Sequence, residues 1–205
     1  IKRILLTFNV KIILTLGFLM TLANAEILRL KRADVLESKK IGFETVKHLQ
    51  GNVQFQKGDI KLTCQKSVYK ERKDIAFLFN QVKIFKDDLI LECDSITFYS
   101  KKNKLESNGN PTIYDLDYKL VADSLIYFTE LDSGIAIGNV ELIQNDQKIK
   151  ADRIEYVKNP GSEAISYIAI GNEEIIDSVR TATCGRANYN DINEGDVVEA
   201  FQEVE

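Results

Sequence analysis

The chain has 205 residues, and its 44% hydrophobic and 28% charged residues are typical of a globular protein large enough to bury a core. Its 31 acidic and 27 basic residues give a formal net charge of −4, which argues against nucleic-acid binding because that needs a basic surface. The single histidine, His48, argues against a histidine-based metal or acid–base site, and we expect neither a metal nor a cofactor.

The start of the chain has the features of a secretory signal peptide. Two basic residues precede an apolar run over 12–23, and Ala23-Asn24-Ala25 forms a small-residue cleavage site. The alternative is an uncleaved membrane anchor, but Lys11 interrupts the longer apolar run and the remainder is short for a span. We therefore predict a cleaved signal peptide over 1–25, export, and a mature domain over 26–205.

The rest of the sequence repeats with a period of 29 residues. Each unit opens with a Gly-Asn pair, reaches a small residue 13 positions later, and has an aromatic residue five positions after that. The small residues are Cys64, Cys93, Ala122, Ala151 and, after a four-residue insertion, Cys184. The aromatic residues are Tyr69, Phe98, Tyr127, Tyr156 and Tyr189. Repetition of this kind is typical of proteins in which neighbouring units bury a shared core.

Each unit has the pattern of a long β-hairpin. Gly, Asn and Asp clusters predict two turns per unit, and apolar residues alternate along the runs between the turns. The alternation shifts by one position at Gly138-Asn139 and again at Ala151-Asp152, as it does at a β-bulge. We predict an all-β fold: an elongated, V-shaped β-jelly roll of 29-residue antiparallel hairpin repeats with kinked strands.

Two rows of equivalent residues have a functional and a plain interpretation. Asp94, Asp123 and Asp152 recur every 29 residues, as a carboxylate row for calcium or for glycan cleavage would. A corner aspartate that hydrogen-bonds its own turn needs fewer assumptions. The cysteines of an exported protein are allowed to form a disulfide, but their small inward position favours buried free thiols. His48 lies next to a predicted strand, and we expect it at the surface or an edge.

The repeats resemble the OstA-like, or LptA, family of lipopolysaccharide-transport periplasmic proteins. The resemblance rests on the units in 119–127, 138–142 and 148–156, and it extends over about 27–189 behind the leader. Gln65 and Asn80-Gln81 depart from the pattern. The resemblance implies a periplasmic β-jelly roll that shields the lipid A acyl chains of lipopolysaccharide in an apolar interior. It also implies a bridge between the inner and outer membranes with no covalent step catalysed.

The alternating pattern supplies candidates for the walls of such a groove. These are Val53, Phe55, Leu62, Val82, Ile84, Leu91, Ile113, Leu120, Val140, Leu142 and Ile149. Pro111 occupies the same column as Val53. The alternative is that all of them fill an ordinary closed core, since apolar alternation is common in β-sandwiches.

End-to-end assembly needs open sheet edges. The resemblance implies that these edges pair with other jelly-roll proteins of the bridge or with a second copy of this chain. We place the N-terminal edge within 27–56 and the C-terminal edge within 179–204, unless the charged residues Glu194, Asp196 and Glu199 protect the latter. Two other functions remain: the membrane-anchored partner of the same pathway, and a secreted β-repeat protein that binds or cleaves glycans.

Overall fold

The computed structural model describes residues 26–115, 118–144, 147–158, 165–176, 181–190 and 197–201, and the predicted signal peptide lies outside them. Within these residues the chain forms fifteen strands and one short 3-10 helix, Ser100–Lys102. The strands are β1 (Arg29–Arg32), β2 (Val35–Ile41), β3 (Glu44–Lys57), β4 (Ile60–Lys70), β5 (Ile75–Lys86), β6 (Leu89–Tyr99), β7 (Lys104–Asn108), β8 (Thr112–Tyr114), β9 (Tyr118–Val121), β10 (Ser124–Phe128), β11 (Ser133–Gln144), β12 (Gln147–Lys158), β13 (Ile165–Ile176), β14 (Thr181–Asn190) and β15 (Val197–Phe201). No helix in the described ranges is long and apolar enough to cross a membrane.

The strands form one antiparallel sheet in which neighbours in sequence are neighbours in space. From β3 to β7 and from β10 to β15, each strand pairs with the next. Strands β1 and β2 both pair with β3, on its C-terminal and N-terminal halves respectively. This meander of hairpins confirms the predicted all-β fold.

Each long strand is kinked where its register shifts. In β11 the pairing with β12 jumps between Ile137 and Val140, so that Gly138 and Asn139 together oppose one residue. Both have positive φ, +79° and +45°. Two consecutive residues in the left-handed region turn the strand sharply and move the alternation to the opposite parity, which confirms the bulges predicted from the sequence.

The kinks lie side by side and divide the sheet into two arms of a V. The first arm contains β1, β8, β9 and the halves of the long strands that lie within 53–64, 82–93, 140–151 and 173–184. The second arm contains β2, β7, β10, β15 and the remaining halves. Buried apolar residues of both arms form one continuous cluster between them.

In the third unit, both strands are interrupted rather than bulged. Strand β7 ends at Asn108 and β8 begins at Thr112. Between them, Pro111 has no N–H to donate to a neighbouring strand, but its carbonyl oxygen accepts a hydrogen bond from the Ala122 N–H at 3.2 Å. The proline therefore keeps the kink in place while it ends the strand pairing.

The corners are fastened by an aspartate on one strand and the Gly-Asn pair of the next. At Asp123, the backbone N–H donates to the Gly138 carbonyl at 2.9 Å, and Oδ2 accepts a hydrogen bond from Asn139 Nδ2 at 2.9 Å. The expectation that each aspartate bonds its own turn was therefore wrong, because the partner belongs to the adjacent strand. Equivalent amide-to-carboxylate bonds join Asn52 to Asp34 and Asn172 to Asp152.

The two departures from the repeat belong to a single corner. Asn80 and Gln81 have φ of +63° and +54°, so they adopt the same left-handed pair of conformations as Gly-Asn elsewhere. The position that would carry their aspartate is Gln65. The corner at Asp34 was missed in the sequence, although Ala33-Asp34 repeats the Ala122-Asp123 signal.

Candidate functional site

All eleven candidate groove residues lie on the inner face of the first arm. Their exposed fractions run from 0 to 5%, and all belong to the cluster between the arms. Pro111 is buried there as well. The structure thus brings the predicted columns together as one apolar wall.

The opposite wall comes from the second arm and was not assigned from the sequence. Its fully buried side chains include Leu49, Leu78, Ile96, Phe98, Leu105, Leu125 and Ile154. The repeated aromatic residues also face inward; the rings of Phe55 and Tyr69 meet edge to face at 5.5 Å. The signal was present, because the parity change at each bulge predicts a second set of inward positions.

Two lysines connect the arms along the line where their turns face each other, which we call the seam. Lys57, in the first arm, is 7% exposed, and its Nζ donates to the Ser100 carbonyl at 2.5 Å and to Asn103 Oδ1 in the second arm. Lys86 does the same one unit later, donating to the Thr129 carbonyl at 2.8 Å and to Asp132 Oδ1. We call these contacts the lysine clasps.

The acceptors of the clasps belong to a stack of second-arm turns. Asp74, Asn103 and Asp132 recur every 29 residues with left-handed backbones. Neighbouring turns are joined by backbone bonds, from Ser100 N–H to the Asp74 carbonyl and from Thr129 N–H to the Asn103 carbonyl. Each clasp therefore ties the first arm to a continuous ladder rather than to one loop.

Burial governs the titration of the groups along the interior. Desolvation lowers the pKa of the Lys57 ammonium, although Asp74 and other carboxylates oppose the shift. The pKa values of Tyr69 and Tyr127 are raised, first by burial and then by hydrogen bonds to Asp74 and Asp132. Both tyrosine hydroxyls donate to these carboxylates at 2.7 Å. The interior therefore holds these tyrosines in their neutral form.

The packing between the arms opens into a narrow cleft in the third and fourth units. The cleft is lined by Tyr118, Leu120, Leu142, Gln144, Ile154, Tyr156 and Tyr167. Its open volume is about 20 Å³, room for about one water molecule. The hydroxyl of Tyr156 is buried without a hydrogen-bond partner. The Tyr127 ring stacks against Tyr156 at 6.2 Å, but the two hydroxyls lack hydrogen-bond geometry.

The remaining candidate groups have structural surroundings. Cys64 and Cys93 are free thiols, and burial raises their pKa values to about 11 and about 12. The Cys184 side chain lies outside the described part of the structure. No group of three His, Cys, Asp or Glu side chains in the described ranges is placed to hold a metal, and the aspartate row occupies the corners. His48 is exposed on β3, as expected.

The sheet edges lie within the two predicted segments. At the N-terminal end the edge strands are β1 and β2, and all seven residues of β2 are exposed. Its surroundings include Leu36 at 49% and Phe43 at 87% exposure. At the C-terminal end the order of strands finishes with β14 and β15. Glu194 and Asp196 and the side chain of Glu199 lie outside the described residues.

Comparison with known proteins assigns the fold to a family. The model of the family described as OstA-like protein matches residues 68–197, more than half of the chain. The chain belongs to the OstA-like family. This OstA-like protein is also similar to a solved structure of LptH, described as the LptA-homologous periplasmic component of the lipopolysaccharide transport device from Pseudomonas aeruginosa. The match has a TM-score of 0.50 and 14% sequence identity, and it covers 57% of this chain and 93% of LptH. It supports the jelly-roll fold. No curated protein sequence matches the chain.

Proposed function

We propose that this OstA-like protein is a periplasmic lipopolysaccharide-transfer protein that holds acyl chains between the two arms of the V. The observation that carries the proposal is the continuous apolar interior, built from matched columns in every unit of an OstA-like chain. The eleven groove residues of the first arm supply one wall for the acyl chains. The function requires binding and release, with no covalent step.

The driving force is the burial of acyl chains. Each methylene removed from water contributes about 0.8 kcal/mol, so several chains outweigh the repulsion between an anionic head and an acidic protein. Without the predicted leader, the chain has 24 basic and 31 acidic residues. The interior is closely packed, so acyl chains enter by spreading the arms, and the clasps at Lys57 and Lys86 resist that movement.

Photo-crosslinking at two contrasting positions tests lipid contact. Ile113 is 1% exposed between the arms, and Lys102 is exposed on the 3-10 turn. A photoreactive amino acid replaces one or the other in protein exported by a bacterial cell that makes lipopolysaccharide. We expect a lipopolysaccharide adduct at Ile113 and none at Lys102. Adducts at neither position, in exported protein that resists protease as the wild type does, would refute the proposal.

We further propose that the protein assembles end to end through its open edges. Strand β2 presents an unpaired backbone edge together with the exposed apolar residues Val35, Leu36 and Ile41, and such edges pair with strands of other chains. The partner is another jelly-roll protein of the bridge or a second copy.

Light scattering over a range of protein concentrations tests the case of a second copy. The double variant Leu36→Lys, Ile41→Lys places charge on the edge. Leu131→Lys is the matched control, because Leu131 is an exposed apolar residue, at 66%, away from the edge. We expect the wild type and the control to form larger species as concentration rises and the edge variant to stay monomeric. Oligomers of the edge variant at wild-type levels would exclude β2 as the contact.

A further inference from the structure

The first-arm position that forms the clasps recurs through the chain with different chemistry. At the 29-residue spacing this position is Leu28, Lys57, Lys86 and Asp115. The first three members of the series turn toward the second arm. Leu28 is 3% exposed within the core and lines the same cavity as Tyr69 and Asp74, while Lys57 and Lys86 form the clasps.

Asp115 breaks this series. A carboxylate accepts hydrogen bonds but donates none, so it is unable to bond backbone carbonyls of the opposite arm as lysine does. Its interactions stay on its own arm: the backbone N–H donates to the Tyr118 carbonyl at 2.9 Å, and the carboxylate pairs with the Tyr118 hydroxyl. The lysine type of clasp therefore ends after the second unit.

The cleft between the arms lies directly beside this break. Tyr118 and Tyr156 line both the cleft and a second depression at the seam, whose other walls include Lys86, Asp115 and Asp132. The two tyrosines thus separate the apolar interior from the outside at this unit. At the first two units the same place is crossed by the lysine clasps.

The lining of the cleft has the chemistry of an amphiphile site. Leu120, Leu142 and Ile154 form an apolar floor. Polar groups of Tyr118, Gln144 and Tyr167 lie around it. A buried hydroxyl without a hydrogen-bond partner costs stability, and the Tyr156 hydroxyl is such a group. An oxygen of a ligand at the boundary between its acyl chains and its polar head would satisfy it.

We propose that this third unit is a lateral window, through which the polar head of the bound lipopolysaccharide leaves the interior while its acyl chains lie on Leu120, Leu142 and Ile154. The clasped units on the N-terminal side keep the seam closed, so the head has a fixed place along the chain. This inference rests on the proposed function and adds to it the location and the recognition chemistry of the head.

Lipopolysaccharide that carries a photoreactive aryl azide on its sugar locates the head directly. After irradiation of the full chain with this probe, mass spectrometry maps the adducts. Ile60, Leu89 and Tyr118 are matched positions, each three residues after a member of the clasp series. We expect adducts near Tyr118 and Gln144, and few near Ile60 or Leu89. Saturable binding with adducts at the clasped units would overturn the window alone, whereas a complete lack of binding would overturn the proposed function as well.

Two substitutions test the roles of the clasp and the hydroxyl. Lys86→Met removes the second clasp, and we expect adducts to spread to Leu89, whereas Lys86→Arg keeps a donor and the original map. Tyr156→Phe removes only the unpartnered hydroxyl, so we expect an unchanged or higher melting temperature together with weaker binding of the labelled lipopolysaccharide. An unchanged adduct map in Lys86→Met, or unchanged affinity in Tyr156→Phe, would contradict the proposal.

Discussion

Replacing Gly138 with alanine tests whether the corners are what hold the kinks in place. A Cβ at this position would lie 3.0 Å from both Cβ and Cγ of Asp123 and would overlap its Oδ2. The backbone φ of +79° is also unfavourable for any residue with a side chain. The substitution therefore strains the backbone and displaces the carboxylate that bonds Asn139.

The structure gives the size of the effect. Alanine in the left-handed region costs about 1 kcal/mol or slightly more. Loss of the Asn139–Asp123 hydrogen bond and movement of the carboxylate add about 1–2 kcal/mol. We expect a total loss of about 2–3 kcal/mol, which lowers the melting temperature of a domain of this size by roughly 4–12 °C.

Denaturation followed by far-UV circular dichroism, with two comparison proteins, provides the assay. Gly42→Ala is the matched control, because Gly42 has φ of +59° and nothing within 4 Å of an added Cβ, so only about 1 kcal/mol is lost. The triple variant Asp123→Gln, Gly138→Asn, Asn139→Gln copies the natural corner at Gln65 and Asn80-Gln81. We expect it to lose less stability than Gly138→Ala.

The reasoning would be refuted if Gly138→Ala lost no more stability than Gly42→Ala. It would also fail if the triple variant lost as much as its single changes together, because residues in contact at one corner should be coupled rather than additive.

Three further predictions follow from the interior. Lys57→Met leaves the Ser100 carbonyl and Asn103 without their donor and should cost about 1–3 kcal/mol in urea denaturation, whereas Lys61→Met, at an exposed lysine, should change stability by less than about 0.5 kcal/mol; equal effects would contradict the clasp. The folded-state pKa values of Tyr69, Tyr127 and Tyr156 lie above the ordinary tyrosine value of 10.0, so their contribution to stability is complete below pH 10 and falls as the pH rises above it. Denaturation at increasing alkaline pH should show that fall, with a smaller slope in Tyr156→Phe, and a flat profile would contradict it. Cys64 and Cys93 have raised pKa values of about 11 and about 12, so in a Cys184→Ser background they should react with a thiol reagent at neutral pH roughly a hundredfold more slowly than in the unfolded chain. Rapid labelling of the folded protein would show that these thiols are accessible.

The sequence determined the features that depend on neighbours along the chain. Strand alternation has a period of two, so a one-position shift at Gly138-Asn139 predicts a bulge without knowledge of any partner. The 29-residue repeat then predicts that equivalent bulges stack. The same reasoning placed every candidate from Val53 to Ile149 on the inner wall of the first arm, where each is buried.

Only the tertiary structure decided which distant groups meet when the arms close. Asp123 bonds Asn139 of the next strand rather than its own turn, and Lys57 crosses the seam to Asn103, 46 residues away. The spacing of 29 positions the units but leaves open which turn faces which across the V. That offset depends on the angle between the arms, and the angle is set by how the side chains of both walls pack together.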